Sequence, residues 1–317
     1  MAADLQSHPG PASDLVLRHR LGLLASHLVV ALVALVGIGG ATRVMEAGLA
    51  CPDWPLCYGR LLPGRQMNLQ VFLEWFHRLD AFVVGVALLV LTGASVLWRR
   101  RLPVWLPWVA GAALLLVAVQ GGLGALTVTQ LLAAPLVTAH LTTALLLVAL
   151  TSALYQRLAM AGRGLGVPPL WWALLASTAL VLVLAQCLLG GSMASQWAAD
   201  QCLSSGEGCR WLLAHRQLAM PAALAVLALA ASTPLLPAGL GQLPALALGS
   251  AALVVAQVAL GVWTLRLQLA VPLVTIAHQL TAALLVGLLA AVVARCLGRR
   301  PAASLLTSEV SSEVVHG

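Results

Sequence analysis

The chain alternates between long apolar stretches and short polar connections. Eight of these stretches are about as long as a helix must be to cross the hydrocarbon core of a bilayer. They predict membrane spans at 21–40, 72–98, 104–126, 131–155, 170–190, 211–236, 243–265 and 269–294. Pro221 and Pro234 are expected to interrupt the sixth span. The first stretch is longer than the apolar part of a signal peptide, so we interpret it as a retained span.

Composition supports a membrane protein and excludes two other classes. Of the 317 residues, 61% are apolar and 9% are charged. Soluble domains carry roughly a quarter charged residues, which excludes a soluble enzyme, and the same apolar content excludes a disordered chain. The basic residues are all arginines, and in a membrane protein such an excess orients the chain and need not bind nucleic acid.

Arginine placement predicts the orientation. Eight spans put both tails on one face, and that face carries ten arginines against seven on the other. The positive-inside rule makes the richer face cytoplasmic, so both termini are predicted to be cytoplasmic. The ten are Arg18, Arg20, Arg99, Arg100, Arg101, Arg157, Arg163, Arg295, Arg299 and Arg300.

The second half of the chain repeats the first. Positions in all four spans of the first half recur at offsets of 137, 138 or 151 residues. Parallel repeats of this kind are related by an axis along the membrane normal. We therefore predict an all-α integral membrane protein made of two pseudo-twofold-related four-helix bundles. The matched pairs are Gly39–Gly190, Gly40–Gly191, Cys51–Cys202, His77–His215, Arg78–Arg216, Gln120–Gln257, Gly124–Gly261 and His140–His278.

The repeat also predicts the domain division. A cytoplasmic tail covers residues 1–20, the first four-helix half 21–156, a cytoplasmic linker 157–169, the second half 170–296 and a second cytoplasmic tail 297–317.

Four histidines lie in the even-numbered spans, on the outer side of the membrane: His77, His140, His215 and His278. Ionisable groups inside a membrane are costly and usually functional. Two imidazoles per half, on two different helices, suit the two axial positions of haem iron. Zinc or copper ligands are more often closely spaced histidines or thiolates, so haem is the better interpretation. Packing of the rings without a ligand is the simpler alternative.

Charged residues near these histidines differ between the halves. Arg78 and Arg216 each follow a candidate ligand and are candidates for binding haem propionates, with Arg43 and Arg266 as weaker ones. Anchoring at the interface explains them equally well. Glu74 lies one turn before His77, and its counterpart is a leucine. A carboxylate there could handle protons or stabilise charge, or simply favour the helix N-terminus.

Cysteines form two pairs on the predicted outer face. Cys51 and Cys57 lie in the first outer loop, and Cys202 and Cys209 lie in the third. An oxidising compartment favours disulfides, whose role is structural or redox-active.

These residues together resemble the haem A synthase family over about residues 20–296. The matching segments are Gly39–Arg43, Gly48–Cys57, Glu74-Trp-Phe-His-Arg78, Gln120–Thr127 before His140, His215-Arg216, and Gln257–Gly261 before His278. The segment from Ser192 to Cys209 departs from the family, because it lacks the Cys-Pro-Asp-Trp pattern of some members.

The resemblance implies an oxidoreductase that converts the C8 methyl group of haem O into the formyl group of haem A. It implies that His77 and His140 hold the substrate haem, that His215 and His278 ligate a haem b, and that Glu74 is the essential acid. It also implies disulfides Cys51–Cys57 and Cys202–Cys209. A membrane farnesyltransferase that makes haem O would supply the substrate, and the product would serve terminal oxidase assembly in the plasma membrane.

Other functions stay open at this point. A di-haem b-type cytochrome that carries electrons from quinol would show the same four histidines. A membrane disulfide oxidase would use the cysteine pairs, and a transporter with parallel repeats would use the histidines as a proton relay. The sequence also leaves open a quinone or another electron partner and self-association into a homo-oligomer.

Overall fold

The computed structural model describes residues 11–160, 166–195 and 210–297. Within these ranges eight helices are long and apolar enough to cross a membrane, which confirms the predicted spans. The same ranges contain no β-strand, only an isolated bridge between Cys57 and Arg60. The helices are α1 (Pro11–Val44), α2 (Leu69–Leu97), α3 (Leu106–Thr129), α4 (Ala134–Met160), α5 (Leu170–Ser195), α6 (Arg210–Ala231), α7 (Leu243–Arg266) and α8 (Pro272–Cys296).

Helix α1 begins at Pro11, well before the predicted span, so it takes in half of the predicted N-terminal tail. An apolar run marks only the segment inside the hydrocarbon, whereas polar contacts extend the helix beyond it. Asp14 Oδ1 accepts a hydrogen bond from Arg101 Nε at 2.7 Å, which fixes the first turns of α1 to the α2–α3 connection.

The expected interruption at Pro221 is absent, and α6 runs through this residue to Ala231. Proline removes one backbone hydrogen bond, but a membrane offers the chain no polar solvent as an alternative to helix. The expectation for Pro234 is confirmed, because the α-helix ends before it and a 3₁₀ turn spans Thr233–Leu235. Ser232, next to this turn, accepts a hydrogen bond from Trp172 Nε1 at 3.0 Å.

Helices α1 to α4 contact one another in a closed cycle, and α5 to α8 form the same cycle. Each cycle encloses its own apolar core. Leu28, Leu88, Leu106 and Leu147 lie in the first core, and Trp172, Val226, Leu243 and Leu289 lie in the second. Helix α8 packs against α1 and α4, and α5 packs against α4, which joins the two cycles.

Contacts between the cycles are reciprocal. Gly40 of α1 touches Gln279 of α8, and Gly191 of α5 touches Leu141 of α4. Gly191 is the repeat counterpart of Gly40, and Leu141 is the repeat counterpart of Gln279. These contacts support a pseudo-twofold relation between the halves, which stays a prediction.

The turns that join α3 to α4 and α7 to α8 have the same backbone conformation. Leu131 and Leu132 have positive φ angles of 49° and 61°, and Gln268 and Leu269 have 49° and 64°. The second N–H of each turn bonds a threonine carbonyl, from Leu132 to Thr127 and from Leu269 to Thr264. The left-handed conformation is unfavourable for residues other than glycine, so its recurrence supports the duplication.

Candidate functional site

Each of the four membrane histidines packs against a glycine of the preceding helix. A Cβ atom added to that glycine would stand 2.9 Å from the ring Cε1 atom for Gly39 and His77, 3.5 Å for Gly124 and His140, 2.8 Å for Gly190 and His215, and 3.0 Å for Gly261 and His278. The rings of His77, His215 and His278 therefore occupy the space that a side chain would need, whereas His140 stands at an ordinary van der Waals distance.

The first pair of histidines is brought together between α2 and α4. The ring centroids of His77 and His140 lie 6.4 Å apart, with an angle of 76° between the ring planes. A metal–nitrogen bond of about 2 Å on each side, plus the ring radii, gives a separation of this order. The Nδ1 atom of His77 is buried and has no hydrogen-bond partner among the described residues, whereas the backbone of Gln120 lies close enough to His140 to interact with its ring.

Both histidines of the second pair make hydrogen bonds at Nδ1. His215 Nδ1 lies 3.2 Å from the backbone carbonyl of Gln186, and His278 Nδ1 lies 3.1 Å from that of Gln257. A carbonyl at Nδ1 fixes the tautomer that leaves Nε2 free to bind a metal. The side-chain amides of Gln186 and Gln257 each lie 3.3 Å from that Nε2 atom.

The contact of these glutamines with the histidines was not predicted, and Gln186 was missed altogether, although Gln120 and Gln257 were identified as repeat counterparts. Gln186 precedes Gly190 by four residues, and Gln120 and Gln257 precede Gly124 and Gly261 by the same spacing. The signal was therefore present as a Gln-x-x-x-Gly pattern in three odd-numbered helices. In the first half, the Gln120 side chain instead accepts a hydrogen bond from Thr143.

Glu74 lies under the loop that joins α1 to α2 and is buried. Its Oε2 accepts the backbone N–H of Cys51 at 2.8 Å, and its Oε1 pairs with the guanidinium of Arg78. Because the counterpart of Glu74 is Leu212, the repeat supplies no carboxylate at this position in the second half.

Arg78, a predicted propionate ligand, has its terminal nitrogens directed at the same loop. Nη1 donates to the carbonyls of Asp53 and Leu56, and Nη2 donates to that of Cys51 at 3.3 Å as well as to Glu74. Glu74 and Arg78 together therefore hold the loop against the outer end of α2.

A disulfide closes this loop, as predicted for Cys51 and Cys57. Both cysteines are buried and pack with Val71 at the start of α2. The predicted Cys202–Cys209 pair lies outside the described residues.

Protonation of Asp53 is expected to loosen the loop. Its carboxylate accepts the N–H of Tyr58 at 2.6 Å and that of Gly59 at 2.7 Å. These bonds, with the Gly59 bond as the largest cause, lower the pKa of Asp53 from its ordinary 3.8, although desolvation opposes them. Since the folded-state pKa is the lower one, this stabilisation is complete above the unfolded-state pKa and is lost as pH falls through the folded-state pKa.

Hydrogen exchange measures that effect. We expect the amides of Tyr58 and Gly59 to exchange faster, relative to their intrinsic rates, below about pH 4. Asp53→Asn should remove this pH dependence. A relative exchange rate with the same pH profile in both proteins would contradict the role of the Asp53 carboxylate.

The other candidate propionate ligands differ in their surroundings. Arg43 donates from Nη1 to the carbonyl of Ala194 at 2.8 Å, and so links the outer end of α1 to that of α5. Arg216 and Arg266 are exposed and make no hydrogen bond or ion pair with residues in the described ranges.

Two further titratable residues lie in the spans. Asp80, one turn after His77, forms no ion pair within the part of the chain that the structure describes. His27 lies on an exposed face of α1, with Nδ1 at 2.7 Å from the carbonyl of Leu23.

The donor set of the site fits a haem iron. In the described ranges no three His, Cys, Asp or Glu side chains are placed to share one metal ion. Paired imidazoles on separate apolar helices match the two axial positions of haem. Because these glycines have no side chain, each histidine ring can pack directly against the neighbouring helix. Fold and site define a class: a multi-pass membrane protein with two pairs of intramembrane histidines.

Comparison with known proteins identifies the family. Residues 22–290 match the family described as cytochrome oxidase assembly protein (COX15-CtaA), so the chain belongs to it. The chain is 31% identical over 344 aligned residues to heme A synthase of Sphingopyxis alaskensis, with 89% of this chain and 94% of the relative covered. It is 32% identical over 208 residues to heme A synthase of Shewanella oneidensis, covering 57% and 58%.

A relative with a different name matches a shorter segment. The protoheme IX farnesyltransferase of Halobacterium salinarum is 34% identical over 110 residues, which covers 34% of this chain and 24% of that protein.

Proposed function

We propose that this protein is a haem A synthase that oxidises the C8 methyl group of haem O to a formyl group. Membership of the family and the similarity to heme A synthases along most of the chain support this function. The observation that carries it is the pair of histidine sites, of which only the first has a buried carboxylate, Glu74, close in sequence to its ligand. The product would serve terminal oxidase assembly.

The two halves would bind different haems. His77 and His140 would hold the substrate haem, and His215 and His278 would ligate a resident haem b. The hydrogen bonds at Nδ1 support this division, because a carbonyl partner strengthens and orients an imidazole ligand. In the first pair the Nδ1 atom of His77 has no hydrogen-bond partner among the described residues, which suits a haem that must leave after reaction.

The reaction would proceed by two successive hydroxylations of one carbon. Each would replace a C–H bond by C–OH; with water as the oxygen donor, two electrons and two protons would leave for a quinone or another electron partner. Loss of water from the hydrated aldehyde would then leave the formyl group. When bound, the resident haem b would supply one-electron transfer, which side chains cannot perform.

Residues of the first half would position the substrate and exclude water. His77 and His140 fix the macrocycle between α2 and α4. The disulfide loop lies over the outer end of α2, held by Glu74 and Arg78. Both oxygens of Glu74 accept hydrogen bonds and Arg78 balances its charge, so this carboxylate would act by keeping Arg78 and the loop in place at the substrate site.

Arg43, Arg216 and Arg266 would be available to pair with propionates, which bind arginine well at a membrane boundary. The Cys202–Cys209 disulfide is part of the same proposal. Both haem sites and both cysteine pairs would lie toward the outer side of the plasma membrane. A farnesyltransferase that makes haem O would supply the substrate.

Expression in a host that makes haem O but no haem A tests the function. Extracted haems are separated by mass, for the wild-type chain and for an empty control. Haem A, or its hydroxylated intermediate, is the expected product. Bound haem b with untouched haem O would instead favour a di-haem electron carrier, and a purified protein without any haem would contradict both.

A further inference from the structure

We infer that Gly39, Gly190 and Gly261 are positioning residues, which set where the imidazole ligands stand by leaving no side chain between ring and helix. This inference rests on the proposed haem sites and adds residues to them. A Cβ atom at these three positions would come within 2.8–3.0 Å of a histidine Cε1. Carbon atoms make no stable contact at that distance, so the ring or the helix would have to move.

The contact recurs across the repeat with one difference. Gly39 and Gly190 are counterparts, and their distances to the rings are nearly equal, at 2.9 Å and 2.8 Å. Gly124 and Gly261 are also counterparts, but the distance is 3.5 Å at Gly124 and 3.0 Å at Gly261. The distance at Gly124 is an ordinary van der Waals distance, so a side chain there would not displace the ring of His140, whereas it would displace the other three rings.

A displaced ring has a specific consequence for a metal ligand. An axial imidazole must keep its nitrogen near 2 Å from the metal, so a shift of a few tenths of an ångström weakens or breaks the bond. Helix stability should not suffer from the substitution itself, because alanine favours a helix more than glycine by about 1 kcal/mol. Loss of ligation without loss of folding therefore distinguishes positioning from general packing.

The chain offers matched controls. Gly191 follows Gly190 in α5, and a Cβ there would stand 3.0 Å from the Cδ2 atom of Leu141 rather than from a ligand ring. Gly22 in α1 and Gly122 in α3 have nothing within 4 Å of such a Cβ. Gly191→Ala thus tests crowding without a ligand, and Gly22→Ala and Gly122→Ala test the substitution alone.

The experiment compares purified variants by haem content, electron paramagnetic resonance and thermal unfolding. We expect Gly190→Ala and Gly261→Ala to lose the low-spin bis-imidazole signal of the resident haem and to bind it roughly 10-fold more weakly. Gly39→Ala should do the same to haem O added to the first half, while Gly124→Ala, Gly191→Ala, Gly22→Ala and Gly122→Ala should keep the wild-type signals.

Two failures are distinguishable. A wild-type protein without bound haem would overturn the proposed function. A wild-type protein with the low-spin signal, together with unchanged signals in Gly190→Ala and Gly261→Ala, would overturn only the positioning role. Equal losses in Gly191→Ala and Gly190→Ala would also overturn it, since crowding alone would then suffice.

Discussion

Replacing Glu74 by alanine is expected to stop haem A formation and to leave the resident haem b bound. The side chains of Arg78 and Glu74 are only 15% and 5% exposed, and Glu74 is the carboxylate that pairs with Arg78. Without Glu74, Arg78 is a largely buried charge without its ion-pair partner, which costs roughly 3–5 kcal/mol of stability. The Cys51 N–H also loses its acceptor. We expect a fall in haem A yield of roughly 100-fold or more, measured by mass against the haem b content.

Two variants separate charge from hydrogen bonding. Glu74→Gln keeps the size and an oxygen for the Cys51 N–H but has no charge for Arg78. If its yield is as low as that of Glu74→Ala, the charge carries the effect, whereas a wild-type yield would assign it to the loop contact. Glu46→Ala removes an exposed acid from the same outer side and should be neutral. A wild-type haem A yield in Glu74→Ala would remove Glu74 from the proposed chemistry.

Long apolar runs were sufficient to predict the spans, because the bilayer demands internal backbone hydrogen bonding over a fixed length. Helix ends were harder, since they depend on partners far away in sequence. The early start of α1 reflects the ion pair of Asp14 with Arg101, which no local pattern contains. The helix continues through Pro221 because the membrane offers no polar solvent as an alternative to helix, although proline itself disfavours a helix.

The histidine pairs could be predicted from the repeat, but their surroundings could not. A repeated glycine in the sequence does not show which face of the helix it occupies, so only the structure reveals the contact between Gly39 and His77. The Gly39-Gly40 doublet now has a physical account, in which one glycine meets a ring of its own half and the other meets α8.

Arg78 has a structural role in addition to its predicted one. The loop between Cys51 and Cys57 is short and closed by a disulfide, so its carbonyls have few backbone donors within reach. An arginine on the adjacent turn of α2 satisfies several of them at once. The same guanidinium neutralises Glu74, so Arg78 has a structural task that sequence alone did not separate from ligand binding.

Removing a second-half histidine is expected to abolish the resident haem and, with it, turnover in the first half. His215→Ala and His278→Ala each delete one proposed axial ligand, and neither touches Glu74 or the loop it holds. We expect at least a roughly 10-fold loss of haem b per protein, measured from the reduced spectrum of the purified chain. His77→Ala and His140→Ala should keep that haem b and lose only the binding of added haem O.

His27→Ala is the control, because His27 lies on an exposed helix face and should leave both haems unchanged. The carbonyls of Gln186 and Gln257 bond Nδ1 of His215 and His278, so we expect the resident haem b to depend on the second pair. If His77→Ala lost the resident haem b while His215→Ala retained it, the assignment of haems to halves would be reversed. Loss of haem b in all four variants would mean that the two sites fold or load together, and would contradict a haem b site that depends on the second pair alone.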